Sequence, residues 1–231
     1  MASNPNFLKA AFHDPEAVAK YADSPRMAVP GFADMQRMAR LLLAERVGSR
    51  GRILVVGAGG GLELKAFAEA EPGWEFDGVD PSPSMLQLAK QTLGPHASRV
   101  ALHEGKVDVA PRGPFDAATC ILTMHFADID ERRQMLTAIR RRIKPNGPFI
   151  AVHLSFPQSG AARAQWLSRY AAYVVSSGVD PEKASLARDA IDSQLEILDP
   201  GQDEGLMHEA GFSDVSLFYA GFAFKGWVSS A

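Results

Sequence analysis

The sequence has 231 residues, of which 46 % are hydrophobic and 22 % charged, the composition of an ordinary globular protein. Its 24 basic and 27 acidic side chains give a formal net charge of −3, so it lacks the broad positive field that is typical of nucleic-acid-binding proteins. No apolar run reaches the ~18 residues of a membrane span, and the single cysteine, Cys120, excludes an intramolecular disulfide and a thiolate zinc cluster.

The first fifty residues are predicted to be helical. The opening stretch MASNPNFLKAAFHD has neither a charged start nor a long apolar run, so we expect no signal peptide and a cytoplasmic location. The second predicted helix is Phe32–Val47, in which apolar side chains recur at helical spacing. We expect these helices to cover one side of the domain that follows.

Strand-like runs and helical runs alternate after residue 50. The strand-like runs are rich in apolar and β-branched residues and cover positions 53–56, 74–79, 100–103, 115–122 and 148–153. This alternation predicts a parallel sheet with crossover helices.

Several helix starts are marked by a polar N-cap followed by proline. The pairs are Asp14-Pro15, Ser82-Pro83, Asp180-Pro181 and Asp199-Pro200. Proline is tolerated there because the first turn of a helix does not use its own N–H groups.

The last eighty residues contain two further features. Residues 160–195 are predicted to form two helices, the first with an apolar stripe that includes Trp166, Tyr170 and Tyr173, and these helices are expected to cover the substrate. The final stretch FSDVSLFYAGFAFKGWVSS predicts an antiparallel hairpin that turns near Ala220-Gly221.

The stretch ILVVGAGGGLELKAF joins the first strand to a helix through a glycine-rich turn. Such a turn lets a ligand approach the backbone N–H groups at the helix start. A dinucleotide-binding G-x-G-x-x-G motif would require glycine at Leu62 or Leu64, so neither register fits. The P-loop sequence G-K-[ST] does not occur either.

An acidic residue ends the second strand, in the segment FDGVDPSPSML. Asp80 occupies the place where sheets of this kind hold a carboxylate for ribose hydroxyls, and an ionised carboxylate suits a vicinal diol. A helix-capping role is the alternative for Asp80, although Ser82 already serves as the cap. Pro81 and Met85 would flank an adenine ring, or would simply pack at the corner between strand and helix.

Together these segments resemble class I S-adenosylmethionine (SAM) methyltransferases over residues 53–153. The similar segments occur in the family's order: VVGAGGG, GVDPSPSML, HEGKVDVAP, GPFDAATCILTMHF and RRRIKPNGPFIAVH. Outside that core, FHDPEAVAKYADSPRMAVPGFADM and LMHEAGFSDVSLFYAGFAFKGWV resemble the carboxy-SAM synthase branch and the small bacterial methyltransferases near it. The resemblance implies a Rossmann-like, doubly wound α/β sheet of seven strands, mostly parallel, with a C-terminal antiparallel hairpin.

The resemblance also implies a domain plan and a set of cofactor contacts. We expect one domain over residues 1–231, with a helical cover (1–50), a cofactor-binding core (51–154), a helical substrate cover (155–200) and a C-terminal helix and hairpin (201–231). The branch suggests a homodimer and a contact between Phe32 and the methionine part of SAM. The residues expected to bind SAM are Tyr21, Phe32, Gly57, Ala58, Gly59, Gly61, Asp80, Pro81, Met85, Lys106, Val107 and Leu122.

Three positions depart from the family's pattern. Val55 stands where an acid often contacts the methionine amine, so that contact is lost or moved. Lys106 stands where an acid often contacts adenine, so Val107 and backbone groups, or Asp108, would have to hold the base. Leu206 stands where the carboxy-SAM branch carries an arginine, which favours ordinary SAM.

Methyl transfer to an oxygen, nitrogen or sulfur atom that must lose a proton is helped by a general base. His125 follows the fourth strand and His153 ends the fifth, at the edge where α/β sheets bind ligands. Either is a candidate base, but His125 could instead orient a loop and His153 could be a hydrogen-bonded core residue. The remaining histidines lack metal-ligand spacing, so we expect no metal.

The leading hypothesis is a SAM-dependent methyltransferase that acts on a small, fairly apolar metabolite. A tRNA-modifying or carboxy-SAM-type enzyme and a non-catalytic SAM-binding module remain alternatives, and an NAD oxidoreductase ranks last because both glycine registers fail. The acidic balance argues against a nucleic-acid partner, and the lack of a long apolar run argues against a membrane partner.

Overall fold

A computed structural model describes Val18 and residues 24–231. This part of the chain contains a sheet of seven strands. The strands are β1 (Gly51–Val56), β2 (Trp74–Asp80), β3 (Val100–Glu104), β4 (Ala117–Ile121), β5 (Pro148–Leu154), β6 (Ser213–Gly221) and β7 (Phe224–Ser230).

The strand order is β3-β2-β1-β4-β5-β7-β6. Strands β1 to β5 pair in parallel, whereas β7 runs antiparallel to both β5 and β6. The first strand therefore lies inside the sheet, β2 and β3 extend the sheet to one edge, and the later strands extend it to the other edge. This arrangement confirms the predicted doubly wound sheet with its C-terminal antiparallel hairpin.

Eight α-helices lie within residues 24–231. They are α1 (Ser24–Ala28), α2 (Phe32–Val47), α3 (Leu62–Ala70), α4 (Pro83–Leu93), α5 (Ile129–Arg140), α6 (Gly160–Ser176), α7 (Pro181–Gln194) and α8 (Pro200–Glu209). The predicted helix Phe32–Val47 and the two helices predicted over 160–195 are confirmed. The first predicted helix and the Asp14-Pro15 cap lie outside the described residues.

Alternating side chains of β1 bury on opposite faces of the sheet. Ile53 and Val55 join a core packed with helices α2, α3, α4, α6 and α7, whereas Leu54 and Val56 join a second core packed with α5 and α8. A strand buried on both faces is continuously apolar, which is why the ILVV run predicts a central parallel strand. No helix in the described part of the chain is long and apolar enough to cross a membrane.

The helix caps follow the sequence closely. The side chains of Ser82, Asp180 and Asp199 accept hydrogen bonds from backbone N–H groups in the first turns of α4, α7 and α8, and Asp199 forms a capping box with Gln202. Each cap satisfies N–H groups that the helix itself leaves without a partner.

Two predicted boundaries shift. The fourth strand is shorter than 115–122, because Phe115 forms only an isolated bridge with Ile143 and Leu122 turns away with a φ of 57°. The hairpin turns at Phe222 and Ala223, just beyond the predicted Ala220-Gly221, since β6 continues to Gly221.

Candidate active site

The glycine turn lies at the carboxyl edge of the sheet, directly after β1. Gly57 and Gly61 have φ angles of 77° and 79°, which side-chain-bearing residues rarely adopt. A Cβ on Gly57 would lie 1.9 Å from the Thr123 hydroxyl oxygen, and one on Gly61 would lie 2.9 Å from the Ala89 Cα. The protein's own packing therefore requires both glycines, independently of any ligand.

Asp80, at the end of β2, is joined to this turn. Its Oδ2 accepts a hydrogen bond from the backbone N–H of Gly59 at 2.9 Å, and its Oδ1 accepts one from the N–H of Ser82 at 2.9 Å. The N–H groups of Gly57 and Ala58 both donate to the Val79 carbonyl at 2.9 Å. The ends of β1 and β2 thus form one hydrogen-bonded corner that carries a carboxylate.

A cavity of about 580 Å³ opens beside this corner. It extends from the glycine turn across the ends of β2 and β3 to the loop after β4 and one face of α5. Its lining residues are Val56, Gly57, Gly59, Val79, Asp80, Pro81, Ser82, Met85, Gly105, Lys106, Val107, Asp108, Leu122, Thr123, Phe126, Ala127, Glu131, Gln134, Met135 and Ala138. A mostly apolar cleft of this size with a few polar groups is typical of a small-molecule site.

Many of the residues expected to bind SAM meet at this cavity. Those in its wall are Gly57, Gly59, Asp80, Pro81, Met85, Lys106, Val107 and Leu122. Gly61 lines neither cavity described here but lies at the N-cap of α3, and Tyr21 lies outside the described residues.

Phe32 and Ala58 line a second, small cavity of about 30 Å³ on the other side of the turn. This small cavity shares Gly57 and Leu122 with the large one, and the rest of its wall comes from α1, α2, α3, the glycine turn and the end of β4. Its polar side chains are Gln36 and Glu63.

Glu63 is buried, with 7 % of its surface exposed. Burial raises the pKa of its carboxyl group to about 8, and the Thr119 side chain opposes that shift only in part. Its Oε1 has no hydrogen-bond partner among the described residues. Sequence reasoning missed this residue, although Glu63 and the buried Phe67 are four positions apart and so share a face of α3.

Lys106 lines the cavity, but its charged group pairs with Glu131 instead of binding a ring. Its Nζ donates to Glu131 Oε1 at 2.7 Å, and this hydrogen bond raises the pKa of the ammonium group. Glu131, Gln134 and Met135 of α5 also line the large cavity, a contribution that sequence reasoning did not identify. The cavity therefore has polar groups on its α5 side as well as along the strand ends.

His125 is buried beside the loop after β4 and is not part of either cavity wall described above. Its Nδ1 accepts from the backbone N–H of Leu154 at 3.5 Å, and its ring lies 4.3 Å from that of Phe126. Burial, reinforced by His153 and Arg132, holds the pKa of His125 well below its usual value. These contacts favour the loop-orienting alternative, and a role as base stays a prediction.

His153 is fully buried on β5 and likewise lies away from both cavity walls. Its Nε2 lies 3.1 Å from Asp203 Oδ1, and the same oxygen accepts from Arg132 at 3.1 Å. Arg132 also donates to the carbonyl oxygens of Ala127 and Glu196. This network joins α5, β5 and α8, so the structure favours the core-residue alternative for His153.

Comparison with known proteins agrees with this geometry. Residues 54–149 match the family described as methyltransferase domain. A carboxy-S-adenosyl-L-methionine synthase from Chromohalobacter salexigens is 24 % identical over 222 residues, which cover 94 % of this chain and 82 % of the relative.

Solved methyltransferase structures show the same fold. An O-methyltransferase family protein from Burkholderia thailandensis superposes with a TM-score of 0.67 at 15 % identity, covering 96 % of this chain and 61 % of that one. Human N-acetylserotonin methyltransferase in complex with SAM superposes with a TM-score of 0.63 at 13 % identity, covering 99 % and 60 %. The chain thus spans about three fifths of the length of these two structures.

The strand order, the side-chain-free turn after β1, the carboxylate that ends β2 and the family match over residues 54–149 support a single conclusion. The chain has the α/β methyltransferase fold, and these observations support a class I SAM-dependent methyltransferase.

Proposed function

We propose that this enzyme binds SAM in the large cavity and transfers its methyl group to an oxygen, nitrogen or sulfur atom of a small, fairly apolar metabolite. The observation that carries the proposal is the corner formed by the glycine turn and Asp80, which lines a cavity of about 580 Å³ at the carboxyl edge of the sheet. Ligands of open α/β sheets bind at this edge, where the strand order reverses.

The residues in the wall of the large cavity are assigned the following roles in SAM binding. The Asp80 carboxylate accepts hydrogen bonds from the ribose hydroxyls while it holds the N–H groups of Gly59 and Ser82. Pro81, Met85 and Val107 provide apolar surfaces for the adenine ring. The backbone around Gly57 and Leu122 lies where the ligand passes from the large cavity to the small one.

Recognition of the adenine amine is assigned to the α5 side of the cavity and to Asp108. Lys106 does not provide the acceptor that an amine needs, because its ammonium group only donates, and it already donates to Glu131. The side-chain oxygens of Asp108 and Gln134 belong to lining residues and can accept from an N–H donor.

Bound SAM supplies an electrophilic methyl group on a sulfonium. The protein's part is to hold the acceptor atom in line with that methyl group and to exclude water. The proposed substrate cover, α6 and α7, contributes no residue to the two cavity walls described above. It packs on the hairpin through Tyr173 and Phe222, with ring centroids 5.8 Å apart, and through Tyr170 and Phe224, 6.3 Å apart. These pairs join α6 to the β6–β7 hairpin.

A carboxy-SAM-type reaction is the second candidate, and the names of the sequence relatives favour it. An additional carboxylate on the cofactor would call for a cation near the site. Leu206 is apolar and lies outside both cavity walls, and Lys106, the cation in the wall of the large cavity, is already paired with Glu131. Ordinary SAM is therefore the better fit.

A cytoplasmic location, a homodimeric state and the lack of a nucleic-acid partner are further proposals that rest on the sequence. Light scattering on the purified protein measures the oligomeric state. Salt-dependent binding of tRNA would support the tRNA-modifying alternative, since phosphate contacts weaken steeply as salt rises.

The deciding experiment combines native mass spectrometry of the freshly purified protein with titration calorimetry. A retained mass equal to SAM or S-adenosylhomocysteine, micromolar binding of either, and methyl transfer to small aromatic acceptors would support the proposal. A retained carboxy-SAM mass would support the second candidate. Binding without transfer to any acceptor class would indicate a non-catalytic module, and no binding at all would overturn the proposal.

A further inference from the structure

The small cavity contains a buried carboxyl group that the proposed roles leave unused. We propose that Glu63 receives the α-ammonium group of the cofactor's amino-acid end. The inference rests on the proposed function, because it requires SAM to lie across the glycine turn. It deepens that function by assigning the recognition of the amino-acid end to a residue of helix α3.

The size and position of the small cavity fit an ammonium group. At about 30 Å³ it holds a group the size of one water molecule and is too small for an adenine or ribose ring. It shares Gly57 and Leu122 with the large cavity, so a ligand whose nucleoside fills the large cavity reaches the small one by crossing the turn. The end of SAM that lies beyond its nucleoside and sulfonium carries an amino and a carboxyl group.

Among the described residues, none that contacts Glu63 provides a positive charge, so a bound ligand could provide it. Gln36 from α2 and Thr119 from β4 are neutral, and burial raises the pKa of the Cys120 thiol so that it stays protonated. No lysine or arginine forms an ion pair with Glu63 within the described part of the chain. Lys65, two positions away on α3, pairs with Glu69 at 3.8 Å instead.

Burial with an unpartnered oxygen is costly for a carboxylate, so Glu63 keeps its proton until a counter-charge arrives. An ammonium group brought next to Oε1 would provide both a hydrogen bond and that charge. Glu63 would then ionise and release its proton to solvent. The net change is one O–H bond broken, one charge-assisted N–H···O hydrogen bond formed and one proton set free.

The sheet register places an apolar residue of β1, not an acid, beside Thr119. Val55 is fully buried and pairs directly with Thr119 across the β1–β4 ladder. The Thr119 side chain interacts with the Glu63 carboxyl group, so this carboxyl group lies near the strand pair that includes Val55. The strand therefore provides an apolar residue here, and the carboxyl group near the turn comes from helix α3.

The test compares two ligands that differ in the amino-acid end. S-adenosylhomocysteine has this end and 5′-methylthioadenosine lacks it, and both are titrated into the wild-type protein, Glu63→Gln and the control Glu69→Gln. Glu69 lies on the same helix with an exposed side chain. We expect Glu63→Gln to weaken S-adenosylhomocysteine roughly ten- to a hundredfold, the range for a hydrogen bond between charged groups, and to leave 5′-methylthioadenosine within about twofold. We expect Glu69→Gln to change neither.

A second measurement keeps the proposal testable if Glu63→Gln fails to fold. Titrations of the wild-type protein at pH 6.5, in buffers of different ionisation enthalpy, count the protons released on binding. S-adenosylhomocysteine should release about one proton, because Glu63 is protonated and the free α-amino group is charged at that pH. 5′-Methylthioadenosine should release none.

The possible failures are distinguishable. Equal weakening of both ligands by Glu63→Gln, unchanged affinity for both, or no difference in proton release between the ligands would overturn the role of Glu63 and leave the enzyme's function intact. Failure of the wild-type protein to bind either ligand would instead overturn the proposed cofactor site.

Discussion

Asp80 accepts a hydrogen bond from the backbone N–H of Gly59 at 2.9 Å, across the gap between the ends of β2 and β1. The carboxylate proposed to hold the ribose therefore also holds the glycine turn in place. A substitution of Asp80 removes a ligand contact and a support of the turn together. Mutants at this position have to be compared with a variant that disturbs β2 without touching the cavity.

Replacing Asp80 by asparagine should weaken SAM at least tenfold. One amide oxygen cannot replace both carboxylate oxygens, and the amide NH₂ would face a backbone N–H. The control is Asp77→Asn on the same strand, whose carboxylate pairs with Arg52 and His103. Titration calorimetry should show that only the Asp80 variant loses affinity, and equal losses would point to a general effect on β2.

Gly57→Ala should unfold the turn as well as impair binding. The new Cβ would lie 1.9 Å from the Thr123 hydroxyl oxygen, at a φ of 77°. Gly48→Ala provides the matched control, since Gly48 has a φ of 72° and a Cβ added there would meet nothing within 4 Å. Backbone strain alone should cost Gly48→Ala about 1–3 kcal/mol, because its ψ of −159° lies in a region that is essentially restricted to glycine. Thermal unfolding should show a clearly larger loss for Gly57→Ala, and equal losses would contradict the tight contact.

The buried carboxyl group of Glu63 should make the unliganded protein less stable as the pH rises. Its folded-state pKa of about 8 exceeds the ordinary value of 4.5, so between these values the unfolded chain binds fewer protons than the folded one. Unfolding free energy should therefore fall by up to about 1.4 kcal/mol for each pH unit over this window. Denaturant titrations from pH 5 to pH 8 should show a flatter decline for Glu63→Gln than for the wild-type protein.

Asp203→Asn should destabilise the fold without changing SAM affinity. Arg132 and Asp203 are almost fully buried, so removing the carboxylate leaves a buried guanidinium without its counter-charge, at a cost of roughly 3–5 kcal/mol. Asp130→Asn is the control, because its carboxylate pairs with Arg133 at the surface of α5. A fall in SAM affinity, with stability unchanged, would place Asp203 in the site instead.

The same carboxylate predicts a loss of stability in acid. Burial alone would raise the pKa of Asp203, but His153, Ser155 and Arg132 together hold it below its ordinary value. A lowered folded-state pKa stabilises the protein above the unfolded pKa of about 4, and that contribution is lost as the pH falls through the folded value. Unfolding curves of the wild-type protein and Asp203→Asn should therefore converge below about pH 4.

The two histidines offer a kinetic test of the base hypothesis. If His125 and His153 only support loops and core, His125→Gln and His153→Gln should lower the melting temperature while the pH profile of kcat keeps its shape. A general base contributes roughly 10²–10⁴-fold in rate. Loss of a titrating limb of the profile in either variant would identify that residue as the base.

The strands, the helix caps and the corner at Asp80 could be predicted because each depends on local patterns. Ser82 before Pro83 caps α4, and the apolar run at Ile53 lies in the sheet centre, as the alternation indicates. The sequence could not show that Thr123 fills the space above Gly57, because the two residues meet only after β4 pairs with β1.

The residues that escaped prediction are charged side chains buried by distant partners. Glu63 lies beside Thr119, and Arg132 meets Asp203 only when α8 packs against α5. Their burial depends on long-range packing, which a helical or alternating pattern does not encode. The base hypotheses for His125 and His153 follow from strand order alone, which identifies the correct edge of the sheet but not the depth of each ring.

Half of the residues that line the small cavity come from α1, α2 and α3, which do not contribute to the large cavity, whereas α5 lines only the large one. The two ends of the cofactor would thus be recognised by separate parts of the molecule that meet at Gly57 and Leu122. Variation at Phe32 or Gln36 could retune the enzyme for cofactor analogues with altered tails while nucleoside recognition is retained. Because the two cavities have largely separate walls, the small one could be redesigned for a modified alkyl donor while the large one is left unchanged.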